Sequence, residues 1–160
     1  MNDFQAPGMV VAKERLEWPL VAFKVPGVVV AKERPRAGKN GIFFTPSKTR
    51  NYEKLVSLYA CEAMLNSRKT MLSDAVRVDI IISHKIPKSF NKKKAQDALM
   101  LRIWPKKKDV DNCAKCILDG MNGIVYVSDS QVVELKIFKS YGSDDFAWVK
   151  VSEISVDQVC

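Results

Sequence analysis

The sequence predicts a single α+β domain, with two or three helices on a mixed, mostly antiparallel sheet. Three observations predict it. Segments that read as strands outnumber those that read as helices. The C-terminal third ends on strand-like runs joined by short bends, which favours antiparallel neighbours. No interior stretch is long or Gly/Ser-rich, and 160 residues suit one domain better than two. With 47% apolar residues, the chain can build a core without disulfides.

The elements follow in order. Residues 6–15 and 25–34 are near-copies, identical at eight of ten positions. Two copies are too few for a solenoid. Only the second leads into Pro35-Arg36 and a basic loop. Residues 1–17 therefore read as an N-terminal extension, an extra edge strand or a frayed tail, and residues 18–160 as the domain. Residues 19–30 are rich in Val and Phe and broken by Pro26-Gly27: a strand, a turn and an extended piece. Residues 32–41 form a cationic loop and 42–45 a short strand. Thr45-Pro46-Ser47 opens a helix whose Leu55, Leu58, Tyr59 and Leu65 share an apolar face. Residues 75–83 alternate, with Val76, Val78, Ile80 and Ile82 on one side. A short basic helix is predicted over 91–99 and a strand over 101–104. A further helix spans about 112–121 and ends at Gly123. Strands over 124–127, 132–141 and 146–154 follow, with bends at 128–130 and 143–145.

Twenty-six Lys and Arg against eighteen Asp and Glu give a net charge of +8, which calls for an acidic partner. No run approaches the 18 apolar residues of a membrane span, and Lys13, Glu14 and Arg15 interrupt the apolar stretch at the N-terminus, so neither membrane nor secretory signal is expected. Six Met and four Cys without a leader point to a reducing cytoplasm. The single histidine, His84, nearly excludes a metal site built on several imidazoles. A metal here would be held by carboxylates, hence a hard cation such as Mg²⁺, with Mn²⁺ as a substitute.

The informative stretch runs from Lys106 to Gly123. Asp109 and Asp111, two apart, point the same way if extended, and Asp111 suits a helix N-cap. On the helix that follows, Asp111, Lys115, Asp119 and Asn122 fall within an arc of about 80°. Cys113, Ala114, Ile117, Leu118 and Met121 take the opposite side. A capped helix with a solvated face would explain Asp111, Lys115 and Asp119 without any function. Three features count against that: the second carboxylate of Asp109, three lysines immediately before it, and an acidic spot in a basic protein. Asp129, in a later bend, could return to the same place. Metal-dependent phosphodiester hydrolysis needs cations for the backbone and carboxylates for the metal.

The run Asp109-x-Asp111-Asn112-x-x-Lys115-x-x-x-Asp119-x-x-Asn122-Gly123, then Asp129-x-Gln131-Val132 and a distal Lys139, resembles the RusA family of Holliday junction resolvases. Pro26-Gly27, Arg34-Pro35-Arg36, Thr45-Pro46-x-Lys48-Thr49 and Pro87-x-Ser89 before consecutive lysines resemble it too. The resemblance spans about residues 20–155. It implies a RusA-like fold and a homodimeric endonuclease that nicks four-way junction DNA symmetrically with Mg²⁺, in recombination and repair. It implies a cytoplasmic protein of a bacterium, prophage or phage, with no small-molecule cofactor. By position, Asp109, Asp111 and Asp129 match the metal-binding carboxylates and Lys115 the essential lysine. Asn112, Asp119 and Asn122 would support them. Arg34, Arg36, Lys48, Lys92, Lys93, Lys94, Lys107 and Lys108 would grip DNA. Two positions depart from the family pattern: Lys108 stands where Pro is usual, and Ser128 where a first Asp is usual.

Two rival readings compete with this one. A non-catalytic basic DNA-binding protein would need none of the carboxylates. A zinc-stabilised protein would use Cys113-x-x-Cys116, but no second pair lies nearby, and small core side chains explain both cysteines. His84 reads as a surface residue at a strand end. Trp104 and Trp148 read as strand packing, though an aromatic near a DNA groove could stack on an opened base. Deleting residues 1–17 is expected to leave junction cleavage within a few-fold. Loss of activity or dimerisation in the truncated protein would show that the first repeat copy belongs to the fold.

Overall fold

The computed structural model describes residues 20–154, so the repeat copy at 6–15 lies outside the described residues. Strand β1 (Leu20–Pro26) is followed by a small hairpin, β2 (Arg36–Ala37) and β3 (Phe43–Phe44), then helix α1 (Ser47–Asn66). Strand β4 (Val76–Lys85), helices α2 (Lys92–Leu99) and α3 (Val110–Met121), and strands β5 (Val132–Gly142) and β6 (Phe146–Glu153) complete the described chain. The fold is the α+β domain that the sequence predicts. Its main sheet has the order β1-β6-β4-β5; only β4–β5 is parallel.

Strand β4 explains the order. Val76, Val78, Ile80 and Ile82 alternate onto one face and are all buried to 1% exposure or less. Such a strand needs neighbours on both sides. It therefore lies between β5 and β6, which are consecutive in the chain but do not pair. Rows of inward side chains cross the sheet in register: Val21, Val151 and Val78; then Phe23, Val149 and Ile80; then Val25, Ala147 and Ile82. Helices α1 and α3 add Tyr52, Val56, Ala60, Cys113, Ile117 and Met121 to the same core.

The buried face of α1 is not the one the apolar spacing predicts. Thr49, Tyr52, Val56, Ala60 and Met64 face inward. Leu58 and Leu65 stand 63% and 74% exposed, while Leu55 and Tyr59 only flank the core. The 3.6-residue period allows either stripe; contact with α3 selects the one with the smaller side chains.

Two predicted strands are absent. At 101–104 the chain is still closing α2: Met100 and Arg102 donate backwards to Gln96 and Asp97, and Leu101 has φ of 59°. At 124–127 it folds into tight turns after Gly123, whose φ of +72° suits glycine. The Ile124 and Val125 amides both bond the Met121 carbonyl. Val125 and Tyr126 become a fully buried plug, with the Tyr126 hydroxyl donating to the Leu118 carbonyl at 2.9 Å. Helix α3 also begins earlier than predicted. Its N-cap is Asp109, and Asp111 lies inside the first turn.

Gly120 sets how closely α1 and α3 approach. A Cβ there would lie 2.7 Å from Val56 Cβ and 2.9 Å from the Glu53 carbonyl oxygen. The Ser57 hydroxyl donates to the Gly120 carbonyl at 2.7 Å across the same contact. Gly120→Ala should therefore destabilise the protein. Overpacking costs about 1–3 kcal/mol, and the better helix propensity of Ala returns at most about 1 kcal/mol. The expected result is a lower urea midpoint; a midpoint that is unchanged or raised would show that the helices do not meet at this residue.

Candidate functional site

Helix α3 is built from two faces. Cys113, Ala114, Cys116, Ile117, Gly120 and Met121 are buried. Asp111, Lys115 and Asn122 are exposed, and Asn112 and Asp119 are partly so. Burial pushes both thiols up, Cys116 to about 12, so they stay protonated core side chains rather than metal-binding thiolates. The polar stripe is thus the outer surface of a helix whose other side is locked into the core.

Three lysines hold this helix and the turn before it. Lys139 of β5 pairs in register with Ile82, so it points to the helix-covered face. Its amine donates to the Lys107 and Lys108 carbonyls at 3.2 and 2.7 Å, tying down the turn that ends at Asp109. Lys108, in the left-handed region at φ 65°, turns inward and donates to the Val29 carbonyl. Burial, with Lys48 nearby, holds its amine below the usual lysine range. Lys108 is partly buried and its amine is engaged by a backbone acceptor, so it is less free than the DNA-gripping cation that the sequence predicts.

Lys32 is the third. Its amide donates to the Asn112 carbonyl at 2.9 Å, and its amine bridges Glu53 of α1 (3.0 Å) and Asp119 of α3. Asp119, on the stripe it shares with Lys115, is thus held by Lys32. Burial pulls the Lys32 amine down, but hydrogen bonds and the charges of the two carboxylates outweigh it, and the net shift is upward.

Residues 26–152 match the Endodeoxyribonuclease RusA family. The chain belongs to the RusA family. It is also 33% identical over 128 residues to the Bacillus subtilis (strain 168) protein described as "Uncharacterized protein YqaN", covering 76% of this chain and 88% of that one. The match runs from the last residue of β1 into β6 and takes in β2 to β5 and all three helices, so the described fold is that of the RusA family.

Within this RusA fold the candidate residues separate into groups. Asp109 and Asp111 sit together at the amino end of α3, where carboxylates complement the helix dipole. Among the described residues neither forms an ion pair, and the Asp109 side chain makes no cap hydrogen bond, so both are free to bind a ligand. Asp129 opens a 3-10 turn, Asp129–Gln131, after the Tyr126 plug, whose hydroxyl reaches Leu118. Among the described residues no three His, Cys, Asp or Glu side chains gather into a metal-holding group. The two carboxylates still fit Mg²⁺, which commonly takes one or two carboxylates and completes its shell with water and substrate phosphate.

The departure at Ser128 has a local explanation. Ser128 is the N-cap of the 3-10 turn, and its hydroxyl accepts from the Ser130 amide. Ser and Asp cap equally well. Gln131 completes the clamp: its carbonyl accepts from the Val127 and Ser128 amides, and its amide donates to the Leu72 and Asp74 carbonyls.

The basic residues spread over separate surfaces. Arg34 and Arg36 are exposed around the β2–β3 hairpin, with Arg36 paired to Glu33 at 2.9 Å. Lys48 is exposed in the first turn of α1, and Lys92, Lys93 and Lys94 in the first turn of α2, capped by Asn91. Lys107 is exposed beside the acidic turn. His84 is less exposed than predicted: its side chain is 12% accessible and its Nδ1 lies 3.8 Å from Asp145. Lys139 belongs to the family pattern but gains its clamping role only in the fold, and no local pattern marks Lys32; their partners lie about 30 and 87 residues away.

Replacing Lys32 by Met should leave Asp119 and Glu53 facing each other unpaired. The expected cost is about 1–3 kcal/mol at pH 7, the range for hydrogen bonds to charged groups. Urea melts of Lys32→Met and Lys32→Arg at pH 7 check this: Arg keeps the charge and should recover part of the loss. Equal losses in both variants would show that the charge of this side chain plays no part.

Proposed function

We propose that this RusA family protein is a Mg²⁺-dependent, structure-specific endonuclease that resolves Holliday junctions by paired nicks. The observation that carries the reading is the pair of free carboxylates, Asp109 and Asp111, on the outer face of α3 in a protein of net charge +8. Bound Mg²⁺ would lower the pKa of a coordinated water and polarise the phosphoryl oxygens. Asp109 and Asp111 would hold it, and the Lys139 clamp would keep their turn rigid. Lys115, exposed on the same stripe and in no ion pair among the described residues, puts a cation where charge develops on the phosphoryl group. Asp129, which matches the family's third metal-binding carboxylate, would join them at the metal. Asn112 and Asn122 flank the stripe as uncharged hydrogen-bonding groups.

Arg34, Arg36, Lys48, Lys92, Lys93, Lys94 and Lys107 are exposed cations that suit phosphate contacts, which position DNA without reading its sequence. Two symmetric cuts call for two sites related by a two-fold axis, so we assign the active species as a C2 homodimer. A role in recombination and repair inside a bacterial cell, host- or phage-encoded, follows from such a substrate. Among the described residues no helix is long and apolar enough to cross a membrane.

The decisive variant is Asp111→Asn, which keeps shape but removes charge. It should abolish nicking of a synthetic four-way junction while binding it as well as wild type, or slightly better, without metal. Lys115→Ala should also lose cleavage. Asp129→Asn should lose cleavage if the third carboxylate holds the metal. Paired gel-shift and cleavage assays, with Mg²⁺ and with EDTA, check all three. Near wild-type cutting by Asp111→Asn would refute the catalytic assignment. Wild-type binding that never yields a cut would favour a non-catalytic DNA-binding protein.

A further inference from the structure

A cleft of about 530 Å³ opens at the carboxyl ends of the parallel strands β4 and β5, beside the acidic turn. Its walls combine two kinds of chemistry. Trp104, Phe90 and Tyr141 supply aromatic surface, and Lys85, Lys94, Lys106 and Lys107 surround them. Trp104 stands 46% exposed and meets Phe138 in a T-shaped pair, with ring centroids 5.6 Å apart, so about half of its surface stays open to the cleft side or to solvent. Phe90 and Tyr141 meet edge-to-face at 5.5 Å, with the Lys94 amine 4.3 Å above the Phe90 ring.

At the base of the cleft lies His84. Its Nε2 is buried and has no hydrogen-bond partner among the described residues. Burial holds this imidazole below its usual range, and the charges of Lys108 and Lys139 add to that, with Asp145 opposing. The ring is therefore neutral near pH 7, with one nitrogen to donate and one to accept. Buried polar atoms are almost always satisfied, so an orphan in a cleft wall points to a ligand that completes it.

We propose that this cleft receives an unstacked nucleobase of the DNA strand being cut, with the base against Trp104 and its phosphates on Lys94, Lys106 and Lys107. Four cations around a half-exposed Trp104 and two further rings match an anionic aromatic ligand, which is the chemistry of a nucleotide. The one carboxylate in the lining, Asp145, is already engaged by the Lys85 amide at 3.1 Å. The cleft and the carboxylates also share a turn. Lys107 precedes Asp109 by two residues, at most about 7 Å of chain, and Lys139 bonds the carbonyls of Lys107 and Lys108 between them. A nucleotide seated here lies next to the phosphate presented to Asp109 and Asp111. Such a site would read the base beside the cut, giving a junction nuclease a sequence preference on top of its preference for shape. This inference rests on the nuclease reading above.

The test is a series at Trp104: Ala removes the side chain, Leu keeps apolar bulk without a ring, and Phe restores a π-face. Affinity for a four-way junction and for a short single-stranded oligonucleotide is measured in EDTA over a range of salt. Cleavage rates are measured in Mg²⁺ on junctions carrying each of the four bases at the branch. Stacking on one aromatic should make Trp104→Ala and Trp104→Leu bind about 5- to 150-fold more weakly, with an unchanged salt slope because no charge is lost. Trp104→Phe should recover most of the affinity, and differences in rate between the four bases should flatten in the Ala and Leu variants. If the wild type cuts junctions and Trp104→Leu binds and discriminates bases equally well, the cleft proposal is overturned and the nuclease reading stands. If the wild type binds no DNA, both fall.

Discussion

Helix α3 has to lie flat in the core, and the arrangement of the site depends on that constraint. Its buried face is made of small or unbranched side chains: Cys113, Ala114, Cys116, Gly120 and Met121, with Ile117 as the one β-branched residue. Gly120 lets α1 come close enough that any side chain there would overlap Val56. Burial on that side leaves one direction for Asp111, Lys115 and Asn122, which is outward. The acidic and basic groups of the stripe are therefore presented by packing, without a loop to aim them. Such rigidity suits a site that must meet a charged substrate without reorganising its own dipoles.

Lysine has three different fates around this helix, and local surroundings decide each. Lys115 is solvated and unpaired among the described residues. Lys32 is partly buried between two carboxylates and stays charged. Lys108 and Lys139 spend their donors on backbone carbonyls. The left-handed turn at Lys108 exposes main-chain acceptors near the core edge, and an unsatisfied carbonyl there would cost free energy. A flexible cationic stem reaches such acceptors where a short side chain does not. The lysine cluster before Asp109 is thus partly scaffold, and only its outward members belong to the charged surface.

Much of the fold was legible in the sequence because its signals are local. The alternation in β4, the Pro-Ser start of α1, the basic stretch of α2 and the amphipathic stripe of α3 each follow from spacing within a few turns. The misreadings arose where one local pattern allowed two outcomes. Residues 101–104 and 124–127 are short apolar runs, which suit a strand or a buried turn equally; the helix closure after Leu99 and the plug at Tyr126 decided them. The inward face of α1 went to Val56 and Ala60 over Leu58 and Leu65 because of what α3 could accept.

The sequence alone determined the class of fold, the family through the spacing from Asp109 to Gly123, and the pairing of an acidic spot with a basic protein. These depend on residue identity at short range and survive without coordinates. Tertiary structure decided which charges are free. It paired Asp119 with Lys32 across 87 residues, turned Lys108 inward, and used Lys139 to lock the acidic turn. It opened an aromatic, cationic cleft lined by His84, whose Nε2 has no partner among the described residues. The reason is physical. Whether a charged group is a ligand, a strut or an ion-pair member depends on its desolvation and its nearest opposite charge, and both are set by residues distant in the chain.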